Sequence, residues 1–111
     1  MKERLTVENA LAKLDQAGGS EFMTLFLHGS LQVEIYKPQR IDRQQPHSRD
    51  EIYVVISGSG HFVCGPERQV FTGGEVLFVP AGVVHRFEDF TDDFATWVFF
   101  YGPGGGEQSG A

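Results

Sequence analysis

Three residues, His47, Glu51 and His85, carry side chains of the metal-ligating kind. They fall in two short segments far apart in the chain. Gln45, His47 and Glu51 lie in Gln45-Pro46-His47-Ser48-Arg49-Asp50-Glu51, and His85 follows the turn Pro80-Ala81-Gly82. Imidazole nitrogen and carboxylate oxygen are the usual donors to a divalent first-row metal, and an amide oxygen is a weaker, neutral one. Gln45, His47 and Glu51 are all odd-numbered and would share a face on a regular strand. A straight strand, however, holds the Cα atoms of residues 47 and 51 roughly 13 Å apart, too far for two bonds of about 2.0–2.2 Å. The chain must therefore bend between Ser48 and Asp50. A helix would also align residues 47 and 51, but the following Ile-Tyr-Val-Val-Ile run argues for a strand.

The elements that must position these groups are mostly strands. Thr6 to Ala17 reads as a short helix, capped by Thr6, with Val7, Ala10, Leu11 and Leu14 on one stripe and Gly18-Gly19 as its stop. Beyond Gly19 the period changes to two. Strands are expected over Phe22–Leu27, Leu31–Tyr36, Ile52–Ile56, His61–Cys64, Gln69–Phe71, Glu75–Val79, Val83–Phe87 and Phe94–Tyr101, with glycine- and proline-bearing turns between them. Residues 38–46 read as a loop. On the seventh of these strands Val83, His85 and Phe87 share a face, so His85 points inward and Arg86 outward. Tyr53 has the parity of Glu51. It is expected to line the same pocket as a hydrogen-bond donor, and it is the one nearby candidate for a catalytic acid or base.

Composition bounds the rest. The 111 residues make a single domain. Hydrophobic residues at 41% and charged residues at 22% suit a globular core. A net charge of −6 argues against a nucleic-acid backbone as partner. The single Cys64 offers neither an internal disulfide nor a thiolate zinc site. No apolar run reaches the ~18 residues of a membrane span, and Met1-Lys2-Glu3-Arg4 does not open a signal peptide, so a cytoplasmic protein is expected. His28, in a turn, and His61 read as solvated or structural, and the acidic run Glu88-Asp89 with Asp92-Asp93 as a solvated loop. No nucleophilic triad or phosphate loop is present.

Together the two segments resemble the cupin family, whose motifs are G-x5-H-x-H-x3/4-E-x6-G and G-x5-P-x-G-x2-H-x3-N. His47-x3-Glu51-x6-Gly58 is similar to the second half of the first. Gly74-x5-Pro80-x-Gly82-x2-His85 is similar to the second, with Asp89 in place of its last residue. Gln39 stands where the family has its first glycine and Gln45 where it has its first histidine. The resemblance covers residues 30–101. It implies an all-β fold, a double-stranded β-helix or jelly-roll barrel (residues 21–101), here with an N-terminal helical extension (residues 1–20) and a flexible Gly-rich tail (residues 102–111). It also implies one divalent metal ion, iron, manganese, nickel or zinc, held by Gln45, His47, Glu51 and His85. Two histidines and one carboxylate would still form a facial triad without Gln45. An apolar wall of Leu31, Val33, Ile35, Val83 and Phe87 is expected around it. Two functions fit: a metal-dependent enzyme of the dioxygenase, isomerase, decarboxylase or epimerase kind acting on a small oxygenated molecule, or a sensor or storage module that only binds one. A homodimer is expected, through the Phe22–Leu27 strand or the helix.

Overall fold

The computed structural model describes residues 4–108. The helix α1 spans Val7–Asp15, and the Thr6 side chain accepts from the Asn9 N–H at 3.1 Å, satisfying one donor of the free first turn. Glu8 in the first turn and Lys13 in the last complement the helix dipole. Eight strands follow: β1 (Phe22–His28), β2 (Leu31–Tyr36), β3 (Asp50–Ser57), β4 (Ser59–Cys64), β5 (Glu67–Thr72), β6 (Val76–Val79), β7 (His85–Glu88) and β8 (Ala95–Tyr101). They form two antiparallel sheets, ordered β1-β2-β8-β3-β6 and β5-β4-β7. The facing sheets make a small jelly roll, the double-stranded β-helix, with one short helix outside it.

Alternation builds the core between the sheets. Tyr53 and Val55 of β3 and Val98 of β8 meet Phe62, Phe71 and Phe87 of the smaller sheet, and Phe94 joins them. The Phe87 ring packs 4.6 Å from that of Phe94 and 4.8 Å from that of Tyr53. Such tilted and edge-on aromatic pairs add about 0.5–1.5 kcal/mol each beyond their area. One close approach requires glycine. Gly58, between β3 and β4, has φ +88°, and a Cβ there would sit 2.6 Å from the Phe94 Cα.

The reading of β2 is corrected by its packing. Val33 and Ile35, expected in the pocket wall, lie on the outer face, where Ile35 packs against Ala10 and Leu14 of α1. Its other face, Gln32, Glu34 and Tyr36, looks into the cavity. Registry agrees: Gln32 pairs with Phe100 and Glu34 with Val98, both on the inner face of β8, whereas Ile35 pairs with Trp97. The helix supplies the apolar contact that the strand's hydrophobic side needs, which leaves its polar side for the interior.

Residues 102–108, expected to fray, are docked. The Gly105 N–H donates to the Ser48 carbonyl at 2.6 Å and the Glu107 N–H to Asp50 Oδ2 at 2.8 Å. The remainder of the expected flexible tail, 109–111, lies outside the described residues, as do residues 1–3 of the helical extension.

Candidate metal centre

The two motif segments are stapled to each other by main-chain bonds. After the loop of residues 37–49, the chain bends at Ser48 and Arg49 and enters β3. Gly82 N–H donates to the His47 carbonyl at 2.6 Å, and Ala81 N–H to Asp50 Oδ1 at 3.0 Å. The turn that launches His85 is thus fixed to the bend that aims His47. Asp50 is buried and grips both that turn and the Glu107 N–H. Glu51, second in β3, is held between β6 and β8 opposite Val79 and Phe100.

His47, Glu51 and His85 converge: one ligand atom from each lies within 4.8 Å of the other two. Glu51 Oε1 is 3.1 Å from His85 Nε2 and 3.8 Å from His47 Nε2. Glu51 is 0% exposed and His85 2%. His85 Nδ1 lies 2.9 Å from the Val83 carbonyl. A carbonyl only accepts, so Nδ1 carries the proton and the Nε2 lone pair faces Glu51. Burial pulls the His85 pKa down, but the adjacent Glu51 carboxylate, then the Val83 carbonyl, outweigh it, and the net shift is upward. His47 packs edge-on to Phe100, with ring centroids 4.7 Å apart.

His47 Nε2, both carboxylate oxygens of Glu51 and His85 Nε2 are buried without a hydrogen-bond partner. Buried polar atoms are otherwise nearly always paired. Four orphans at one point, two imidazole nitrogens and two carboxylate oxygens, match the donor set of a divalent cation. The residues therefore fit the metal that the sequence implied.

The other expected site residues fall as follows. Gln45 is exposed; its neighbour Gln44 lines the cavity instead. Tyr53 is 0% exposed and donates its hydroxyl proton to Gln44 Oε1 at 2.9 Å. Burial, then the Glu51 charge, pushes its pKa well up, so the phenol stays protonated. His28 is exposed, Cys64 half-buried, and His61 Nδ1 lies 3.9 Å from Asp89 Oδ2, remote from the trio in registry.

Asp42 was missed from the sequence. It is 8% exposed and accepts four bonds: Tyr36 hydroxyl (2.6 Å) and Gln44 N–H (3.0 Å) on Oδ1, Gln44 Nε2 (3.0 Å) and Phe87 N–H (2.8 Å) on Oδ2. It locks residues 37–49 across both sheets and orients Gln44. Its bonds to Gln44, two residues on, are local, but those to Tyr36 and Phe87 join it to strands of both sheets.

Beside the trio opens a cavity of about 390 Å³. His47 is the member of the trio in its wall. Phe22, Tyr36, Val98 and Phe100 give an apolar side, and Gln32, Glu34, Gln44 and Arg49 a polar one.

The sequence model of the cupin domain matches residues 32–101, and the chain belongs to that family. Among curated proteins it is similar to uncharacterized protein SCO3923 of Streptomyces coelicolor, 40% identical over 62 residues. That match takes in 56% of this chain and 59% of the relative, less than two thirds of its length. Among solved structures it is similar to a Cupin 2 conserved barrel domain protein from Salinispora arenicola, at 17% identity and TM-score 0.67, over 92% of this chain and 89% of that one. It is also similar to the DMSP lyases RdDddP and RnDddQII, at 27% identity and TM-score 0.60, over 70% of this chain and 42% of that one.

Proposed function

We propose that this cupin binds one divalent metal ion on His47, Glu51 and His85 and acts there as an enzyme on a small oxygenated molecule. The observation that carries the reading is the set of four buried, unpartnered donor atoms converging beside an open cavity. A cation bound by three protein ligands keeps positions open, as catalytic sites do. Such an ion supplies Lewis acidity, polarising a carbonyl or carboxylate or lowering the pKa of bound water. The chain's own residues do the rest. Val83 fixes the His85 tautomer, Phe100 limits water at His47, and Tyr53 acts as a positioning residue by holding Gln44 in the cavity wall. Gln45 is exposed, and its amide oxygen would be a weaker, neutral ligand. The likeness to a lyase supports catalysis over storage or sensing.

The test is reconstitution with Fe(II), Mn(II), Ni(II) or Zn(II), followed by screening of diketones, phenols, hydroxy acids and sugars for turnover. An activity abolished in Glu51→Gln is the expected result. Tight ligand binding at the metal without turnover in any form would favour the binding-module reading.

We further propose a homodimer in the cytoplasm. Strand β1 is a sheet edge and leaves Phe22 56% and Leu27 66% exposed; uncovered apolar edges pair readily. Light scattering should return about twice the 12.3 kDa chain mass. Among the described residues no helix is long and apolar enough to cross a membrane.

A further inference from the structure

Two residues lining the cavity carry opposite charges, and among the described residues neither has an ion-pair partner within 4.0 Å. Glu34 is 9% exposed. Its Oε2 accepts from the Thr24 hydroxyl at 3.1 Å and from Gln32 Nε2 at 2.7 Å, both neutral, while Oε1 takes no hydrogen bond from the described residues. A carboxylate so buried costs free energy until a cation or a strong donor meets it. Arg49 is half-buried and donates to two neutral acceptors, the Ser30 carbonyl and Gln32 Oε1, the latter at 3.2 Å. Its charge is uncompensated, and a guanidinium has further donors for a carboxylate. Among the exposed arginines Arg68 binds Glu88 and Asp89 and Arg86 binds Glu88, whereas Arg40 and Arg43 also lack an ion pair among the described residues but do not line the cavity.

The Gln32 amide bridges the two, taking Arg49 on its oxygen and giving its nitrogen to Glu34. The two hydrogen bonds and one amide width put the bridged guanidinium nitrogen and carboxylate oxygen at most about 8 Å apart. A ligand that meets both groups through hydrogen bonds of about 3 Å must therefore be compact and arched between them, its carboxylate and amine joined through one or two carbons. From this opposed, unpaired couple we infer that the cavity takes a small α- or β-amino acid as its zwitterion, the carboxylate on Arg49 and the ammonium on Glu34. Phe22, Val98 and Phe100 then face a short aliphatic side chain. This inference rests on the metal-site reading for its chemistry, since the ligand would lie beside His47, but its recognition groups are separate residues.

The test is calorimetry on the zinc-loaded protein with four probes of matched length: L-norvaline, pentanoate, butylamine and 2-hydroxypentanoate. Norvaline should bind at least tenfold more tightly than each of the others. Glu34→Gln should weaken norvaline at least tenfold and leave pentanoate unchanged. Arg49→Gln should weaken both and leave butylamine unchanged. Norvaline binding no tighter than pentanoate or 2-hydroxypentanoate, or unchanged in a folded Glu34→Gln, overturns the proposal. The wild-type probe series decides the matter even where a variant does not fold. Zinc content measured on the same samples separates the two readings. Norvaline selectivity in protein that holds no zinc retains the amino-acid site and sinks the metal centre; full zinc without selectivity does the reverse.

Discussion

His85 Nε2 stands 3.1 Å from Glu51 Oε1, with both side chains wholly shielded from solvent, although 34 positions separate them in the chain. The contact exists because Gly82 and Ala81 bond to the His47–Asp50 segment, so each half of the site is the mould for the other. In metal-free protein the neighbouring carboxylate favours a proton on His85. A divalent cation would replace that proton.

Metal content follows from the donor set. Protein purified without chelators or nickel resin should carry close to one divalent ion per chain by mass spectrometry. His47→Ala and His85→Ala should each lose it. Gln45→Ala, altering an exposed side chain, should change retention far less. Full metal in His85→Ala would remove the centre from this position.

Metal should also stabilise the fold, since a ligand held only by the native state adds RT ln(1 + [L]/Kd), about 2.7 kcal/mol at a hundredfold excess over Kd. For a chain of this size that is a rise in Tm on the order of 10 °C. Glu51→Gln should show little rise. In chelator, at a pH above the raised His85 pKa where that histidine is neutral, it should melt no lower than wild type, because an amide is cheaper to bury than a carboxylate. A wild-type Tm indifferent to metal would contradict the prediction.

The upward shift of His85 sets the sign of the pH response. Its folded-state pKa lies above the ordinary 6.5. In metal-free protein the stability from protonated His85 is therefore complete below about 6.5 and is lost as pH rises through the raised value. Chelated protein should melt lower as pH increases across that window. Metal-loaded protein should gain on chelated protein over the same interval, because binding releases the competing proton. Differential scanning calorimetry in paired buffers reads both slopes; parallel curves would exclude proton–metal competition at this histidine.

Asp42 should prove more important to folding than a loop aspartate usually is. Asp42→Ala leaves the Tyr36 hydroxyl, the Phe87 N–H and the Gln44 amide without their acceptor. Urea denaturation should show a loss of about 3 kcal/mol or more. A loss within ordinary surface-mutation scatter would mean water replaces the carboxylate.

Gly58 and Gly74 separate backbone strain from steric clash. Both have φ near +90°, but a Cβ at Gly74 meets nothing within 4 Å, whereas at Gly58 it strikes Phe94 and Thr91. Gly74→Ala should cost about 1–2 kcal/mol. Gly58→Ala should cost at least about 2 kcal/mol more, since main chain must move. Equal losses would show that β4 shifts easily.

The strands and the helix were legible because each depends on local spacing, and the trio only because its two segments resemble the cupin motifs. Period two placed Tyr53 with Glu51 on the inner face, and the turn Pro80-Ala81-Gly82 set the phase of His85. Period two does not say which face of β2 meets which layer, and Ile35 went to the helix. Parity also lapses where the chain is not a strand. Before Asp50 it is loop and bend, so Gln44 and Gln45 could not be sorted by odd and even numbers. Asp42 joins nearby Tyr36 and Gln44 to Phe87, 45 positions away, and Asp50 reaches partners 31 and 57 positions away, spans beyond any window that reads pattern.

Strand β8 enters the larger sheet between β2 and β3, with 58 and 37 residues between it and those partners. Loop closure of that length is entropically uphill until the strand docks, so folding should be slow for the chain's size, in the millisecond-to-second range of non-local β topologies. Phe100 on that strand supports both Glu51 and the His47 ring. The ligand geometry is therefore expected to form late in folding, and any state lacking β8 would have histidines but no rigid site. Cells that meet such a state first with a tightly held wrong ion would face a kinetic question of loading order, one that equilibrium affinity alone does not answer.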